Sequence, residues 1–277
     1  MDTEKAFSVI QEHIKNKEYD RVRPLVDEIV ASAGDTRTLL KSASLLKVVE
    51  DEDGCQRILD RVVAAKHGDK LSVSMSLRGL GRADDAYALI MNEPDNDEVL
   101  HEKAASLLMM DEGEEALSKL RRITSMTVSR RILLCEALCS LGEFKEAYDI
   151  AVKMTDDEKG SYVSLVNLCS TMILMGKNKD AIKTARQHLK EGKDADSLAL
   201  AAYVMRINGR IPAAANYAHR ALTIDHKHKG ALETMAYCLI EKEKFIEAKI
   251  MAGAINEGDP GDPAAVRILD ACRQASR

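Results

Sequence analysis

Tryptophan is absent from this 277-residue chain, phenylalanine occurs three times, and aromatic residues amount to 4% of the whole. With so little aromatic bulk and 31% charged residues, the composition argues against one large globular core and for Ala/Leu-rich helices packed on their neighbours. Prolines number only five. Pro24 and Pro212 stand where the first turn of a helix tolerates a missing N–H, Pro94 marks a break between helices, and Pro260 with Pro263 precedes a last helix over 264–275.

The six cysteines, at positions 55, 135, 139, 169, 238 and 272, form no CxxC and no pairing pattern, which points to a reducing compartment. Long apolar runs are missing too. The longest, VSLVNLCSTMILM over 163–175, is too short and too interrupted to cross a bilayer. The opening MDTEKAFSVIQEHIKNKE is amphipathic and carries both charge signs, unlike a targeting segment. A soluble, cytoplasmic protein with no membrane partner is expected.

No GxSxG, HExxH, phosphate-loop or GxGxxG motif occurs, and no strand pattern could carry one, so neither an enzyme nor a cofactor is expected. His219, His226 and His228 lack the Cys or carboxylate that would complete a metal site, and read as a solvated loop. The acidic runs 51–53 and 156–158 lack the ligand alternation of a calcium loop; they read as turn residues, the second starting a helix. Net charge is −5, with 20 acids against 14 bases in residues 1–100 and 25 against 26 in the remainder. That balance disfavours nucleic acid, whose phosphates need Lys and Arg. Arg121, Arg122, Arg130 and Arg131 flank one turn and read as solvated surface arginines.

What the chain does have is a repeat. The windows NKEYDRV, VEDEDGC, LGRADDA, MDEGEEA, LGEFKEA, MGKNKDA, NGRIPAA and KEKFIEA end at Val22, Cys55, Ala86, Ala116, Ala147, Ala181, Ala214 and Ala248, spaced 33, 31, 30, 31, 34, 33 and 34 residues apart. Such a period marks stacked helical hairpins. Twelve residues before these anchors stand Ile10, Ala43, Ser74, Ala104, Cys135, Cys169, Ala202 and Ala236, nearly all small, as a close helix crossing requires. Nine before, an apolar column runs from Leu46 through Leu77, Leu107, Leu138, Met172 and Met205 to Leu239, broken only by His13 at its start. A fourth column, four residues after each anchor, completes two apolar stripes with helical spacing. Gly81, Gly142, Gly176 and Gly209 sit where a helix exit adopts a left-handed backbone.

This arrangement resembles the tetratricopeptide repeat family, whose motif places a small residue in the first helix, Gly at the turn and Ala in the second helix. LCEALCSLGEFKEAYDIA (134–151) and AAYVMRINGRIPAAANYAHRALTID (201–225) match it best. The family's aromatic near the start of the first helix is replaced by Leu39, Leu100, Leu165, Leu198 and Leu232, and elsewhere by Lys70 or Arg131. The resemblance implies an all-α fold, a right-handed α-solenoid of stacked antiparallel helix hairpins. It would form one repeat domain over 1–277, with divergent repeats in 1–126, clearer repeats in 127–258 and a C-terminal capping helix in 262–277.

In the resembled family the first helix of each hairpin lines a concave groove. Its offsets fall here on Arg37, Lys41, Lys47 and Arg78, then on Val163, Val166, Asn167, Ser170 and Ile173, then on Tyr203, Arg206, Glu233 and Tyr237. The early groove is basic, and the later one is apolar with polar points. Tyr203 and Tyr237 share one slot in successive hairpins and should neighbour each other, offering amphipathic contacts to a peptide. A subgroup of the family clamps the terminal carboxylate of heat-shock chaperone tails; where it needs Lys and Asn, this chain offers Phe7, Ser8 and Gln11, so the full clamp is absent. The implied function is a non-enzymatic scaffold or adaptor holding a partner's peptide segment, with no metal. The alternatives are a solenoid that self-associates into a homodimer through 163–175 and, against its charge, a helical-repeat RNA reader.

Overall fold

A computed structural model of the chain describes residues 3–16, 18–32, 35–258 and 262–275. Among them are seventeen α-helices and no strand. The first hairpin joins α1 (Thr3–Lys15) to α2 (Val22–Ser32), with a short 3-10 turn at Tyr19–Arg21 between them. Then follow α3 (Thr36–Val48) with α4 (Glu52–Val63), α5 (Lys70–Gly79) with α6 (Ala83–Ile90), and α7 (Asp97–Met109) with α8 (Gly113–Leu120). The clearer half pairs α9 (Val128–Ser140) with α10 (Phe144–Asp157) and α11 (Tyr162–Leu174) with α12 (Asn178–Glu191). It continues with α13 (Ala195–Ile207) and α14 (Ile211–Ile224), then α15 (Lys229–Ile240) and α16 (Phe245–Gly258). A lone α17 (Pro263–Ala275) ends the stack as expected, while Pro260 lies outside the described residues.

The small-residue columns are the crossings. Every anchor from Val22 to Ala248 is fully buried, and so is every residue twelve positions earlier. Where that earlier residue carries a donor, it reaches the anchor's own carbonyl: Ser74 Oγ donates to Ala86 at 2.9 Å, Cys135 Sγ to Ala147 at 3.4 Å, and Cys169 Sγ to Ala181 at 3.9 Å. These thiols are structural. Burial pushes Cys55 and Cys135 up to about 11 and Cys169 to about 12, far from any nucleophilic range.

From the second hairpin on, each turn repeats one device. The residue five before the anchor has positive φ, whether it is Gly (81, 142, 176, 209) or not (Glu50, Asp111, Glu243). The next N–H then reaches back to the carbonyl of the apolar column, as in Arg82 to Leu77, Glu143 to Leu138 and Lys244 to Leu239, each at 2.8–2.9 Å. This is the six-to-one bond of a Schellman ending, and it satisfies a carbonyl the helix leaves open. Most first helices begin on side-chain caps: Asp35, Asp69, Asn96 and Asp194 each accept from the N–H three residues on. The acidic runs reverse the expectation. Asp51 caps the start of α4, whereas 156–158 close α10, with Glu158 just past its last turn.

Successive first helices touch one another, α3 to α5, α5 to α7 and onward to α15 and α17, whereas successive second helices make no comparable contact. The stack therefore curves with first helices inside. It also closes. Helix α17 returns to α3, making the inner wall a ring of eight helices from α3 through the odd-numbered helices to α17. Most of the stretch 163–175 is buried within its own stack, at Leu165, Leu168, Cys169 and Met172; Val163 and Leu174 remain exposed.

Candidate binding groove on the inner wall

The later part of the wall brings together most of the residues expected there. The Tyr203 and Ser170 hydroxyls share a hydrogen bond of 2.6 Å between α13 and α11. The Arg206 guanidinium stacks 4.7 Å from the Tyr237 ring and 5.9 Å from that of Tyr203, so the two tyrosines neighbour each other through an arginine. Burial raises both phenols and keeps them neutral. Glu233 accepts from Arg267 of α17 at 3.2 Å. Two buried polar atoms here, Asn167 Nδ2 and Arg206 Nε, make no conventional hydrogen bond among the described residues. Val163 is half exposed, and Val166 and Ile173 pack partly into the core beneath.

The early wall differs from the expectation in two of its four cations. Lys47 is not available to a ligand: it is 6% exposed and sits 3.4 Å from both Glu52 and Asp270. Arg78 is held by Glu102, which accepts from Nε at 2.8 Å and Nη2 at 3.0 Å. A helical offset gives a side chain's direction but not the acid it meets. Arg37 is exposed, and Lys41 lies 4.1 Å over the Phe7 ring and 3.5 Å from Glu4. Both line a cleft of about 970 Å³ with Lys66, His67 and Pro263.

The four-arginine turn is half the solvated patch expected: Arg121 and Arg122 are exposed, Arg131 is partly covered and Arg130 is buried. Arg121 pairs with Glu146, Arg122 with Asp95, and Arg131 with Asp157, while Arg130 is buried between Asp97 and Glu98. The Arg121 and Arg130 pairs link neighbouring hairpins, whereas Arg131 and Asp157 join the two helices of one. His228 is likewise engaged: Nδ1 accepts from the Ala231 N–H to cap α15, and Nε2 lies 2.8 Å from Asp196.

Two wall residues escaped sequence reasoning. Glu136 of α9 stands eleven before its anchor, the slot of Tyr203 and Tyr237, so the same offset would have found it. Glu136 is exposed to the interior, where desolvation by the crowded wall raises its carboxyl on balance and Arg267 and Arg78 oppose the rise. Arg267 belongs to no matched repeat, and no window marked it. Charges from α5, α9, α15 and α17 thus face one narrow interior, which suits recognition of an extended chain by rings, amides and paired charges.

No protein-family model and no curated protein matches the sequence. Solved structures do. A tetratricopeptide repeat protein from Parabacteroides merdae matches with a TM-score of 0.52 at 11% identity, over 86% of this chain and 98% of that one. A thermophilic repeat protein of the same kind from Thermus thermophilus aligns at 19% identity over 62% of this chain and 98% of that one, with a TM-score of 0.48. No helix among the described residues is long and apolar enough to cross a membrane. The hairpins, their shared crossing and turn, and the first of these likenesses agree on one conclusion: the chain has the tetratricopeptide-repeat fold.

Proposed function

We propose that the protein is a non-enzymatic interaction scaffold, one continuous repeat domain over 1–277, that holds an extended segment of a partner protein against its inner wall. The observation that carries this reading is the cluster on α11, α13 and α15. Tyr203 and Tyr237 present their rings to the Arg206 cation, with the buried amide of Asn167 on the neighbouring α11. Such groups recognise peptide backbone and side chains and do no bond chemistry. Arg37 and Lys41 at the early cleft favour a segment with acidic residues at one end.

A photo-reactive residue placed at 237 captures the segment, and calorimetry with the corresponding synthetic peptide measures it. Tyr203→Ala or Tyr237→Ala is expected to weaken binding by about 1–3 kcal/mol, the range of buried aromatic anchors, while Arg121→Glu on the outer edge changes little. Circular dichroism confirms that the variants fold. Normal binding by both tyrosine variants would refute the assignment, as would loss of binding in the arginine variant alone.

A further inference from the structure

In a repeat stack each hairpin packs only on its neighbours, so a contact between the second hairpin and the end of the chain is not required by the repeat itself. The seam between them is built largely from charge. Lys249 lies 2.6 Å from Glu50, Arg273 lies 2.8 Å from Glu52, and buried Lys47 sits between Glu52 and Asp270. Gln56 adds an amide to Glu52 at 2.8 Å. From α3, only Val48 joins the apolar cluster of α15, α16 and α17. Most other junctions of the ring run through a continuous apolar cluster, whereas this one leans on partly exposed ion pairs, which salt screens.

We infer that the seam is an ionic clasp whose opening admits a chain segment sideways into the interior of the ring. This deepens the reading of the inner wall as a binding surface by adding how a guest reaches it. Glu136, Arg78, Arg267 and Glu233 face the interior from around the ring, and a chain held there is enclosed while α17 rests on α3. With the clasp closed, only a free chain end can thread in. With it open, an internal loop of a partner enters as well.

Access is measured without any partner, so the clasp and the proposed binding can fail separately. Cys139 occupies the wall slot of Arg78 and Arg206 and is half buried, whereas the other five thiols are buried. Its reaction with a maleimide carried at the midpoint of a polymer whose two ends are blocked by bulky groups, located by peptide mass spectrometry, reports sideways entry of an internal chain segment into the ring. Labelling is expected to be slow at low ionic strength and several-fold faster in about 1 M salt, where the screening length is about 3 Å. Lys249→Glu should label fast even at low salt, and the swap Lys249→Glu with Glu50→Lys should restore slow labelling. Joining Glu50 to Lys249 with a carbodiimide should abolish the salt effect. Cys139 labelling that is indifferent to salt, to Lys249→Glu and to the cross-link, with helix content unchanged, would overturn the clasp.

Discussion

Single residues set the crossings. Ala181 is fully buried, and the Cys169 sulfur rests against its carbonyl, so no volume is free for a longer side chain. Ala181→Leu is expected to cost about 1–3 kcal/mol in urea unfolding, the usual penalty for overpacking. An unchanged midpoint would mean that the crossing lies elsewhere. The same economy explains why the crossing columns were legible in sequence, since a position that accepts only Ala, Ser or Cys announces itself by composition. Lys47 and Arg130 were not legible. Their chemistry depends on Asp270, Asp97 and Glu98, carboxylates on other hairpins, and no local pattern reports those.

At the scale of the helix, starts and stops divide the work. Most first helices rely on polar side-chain caps, acidic at Asp35, Asp69 and Asp194, and second helices follow directly from the Schellman turn. Hydrogen bonds from Thr38 hold the Asp35 carboxyl below its ordinary value, those from Ser197 do the same for Asp194, and Thr124 and Ser125 for Asp97. A lowered carboxyl contributes stability above its unfolded pKa of about 4, and this is lost as pH falls through the folded value. His101 adds an earlier and shallower loss below about pH 6.5. Burial, then Arg78 and Arg130, lower its pKa, so its neutral form is the folded one. Glu136, raised by desolvation at the wall, opposes the early loss by gaining on protonation above about pH 4. Unfolding midpoints taken from pH 7 to 3 should fall gently at first and steeply below about 4. Asp194→Asn keeps the cap and should soften only the steep part; an identical profile would show that the cap's charge is immaterial. The glycine turns were readable from sequence because Gly at a helix exit marks a left-handed backbone, whereas the caps were not, since an Asp such as Asp51 also suits a turn. The positive φ of Glu50, Asp111 and Glu243 was not, since a glutamate or aspartate gives no sign of a left-handed backbone.

At the scale of the whole molecule, periodicity foretold a stack and a groove but not closure. The ring arises from small angular increments summed over seven hairpins and the last helix, a quantity that no window of sequence contains. Closure changes the meaning of the groove, which becomes an interior with Arg267 of the last helix set against Glu233 of the expected site. Small-angle X-ray scattering on the full chain at low salt tests the closed ring most directly. The expected result is a compact particle whose profile is reproduced by α17 seated on α3, and which extends in Lys249→Glu without loss of helix. An elongated particle at low salt, unchanged by that substitution, would contradict the closed ring.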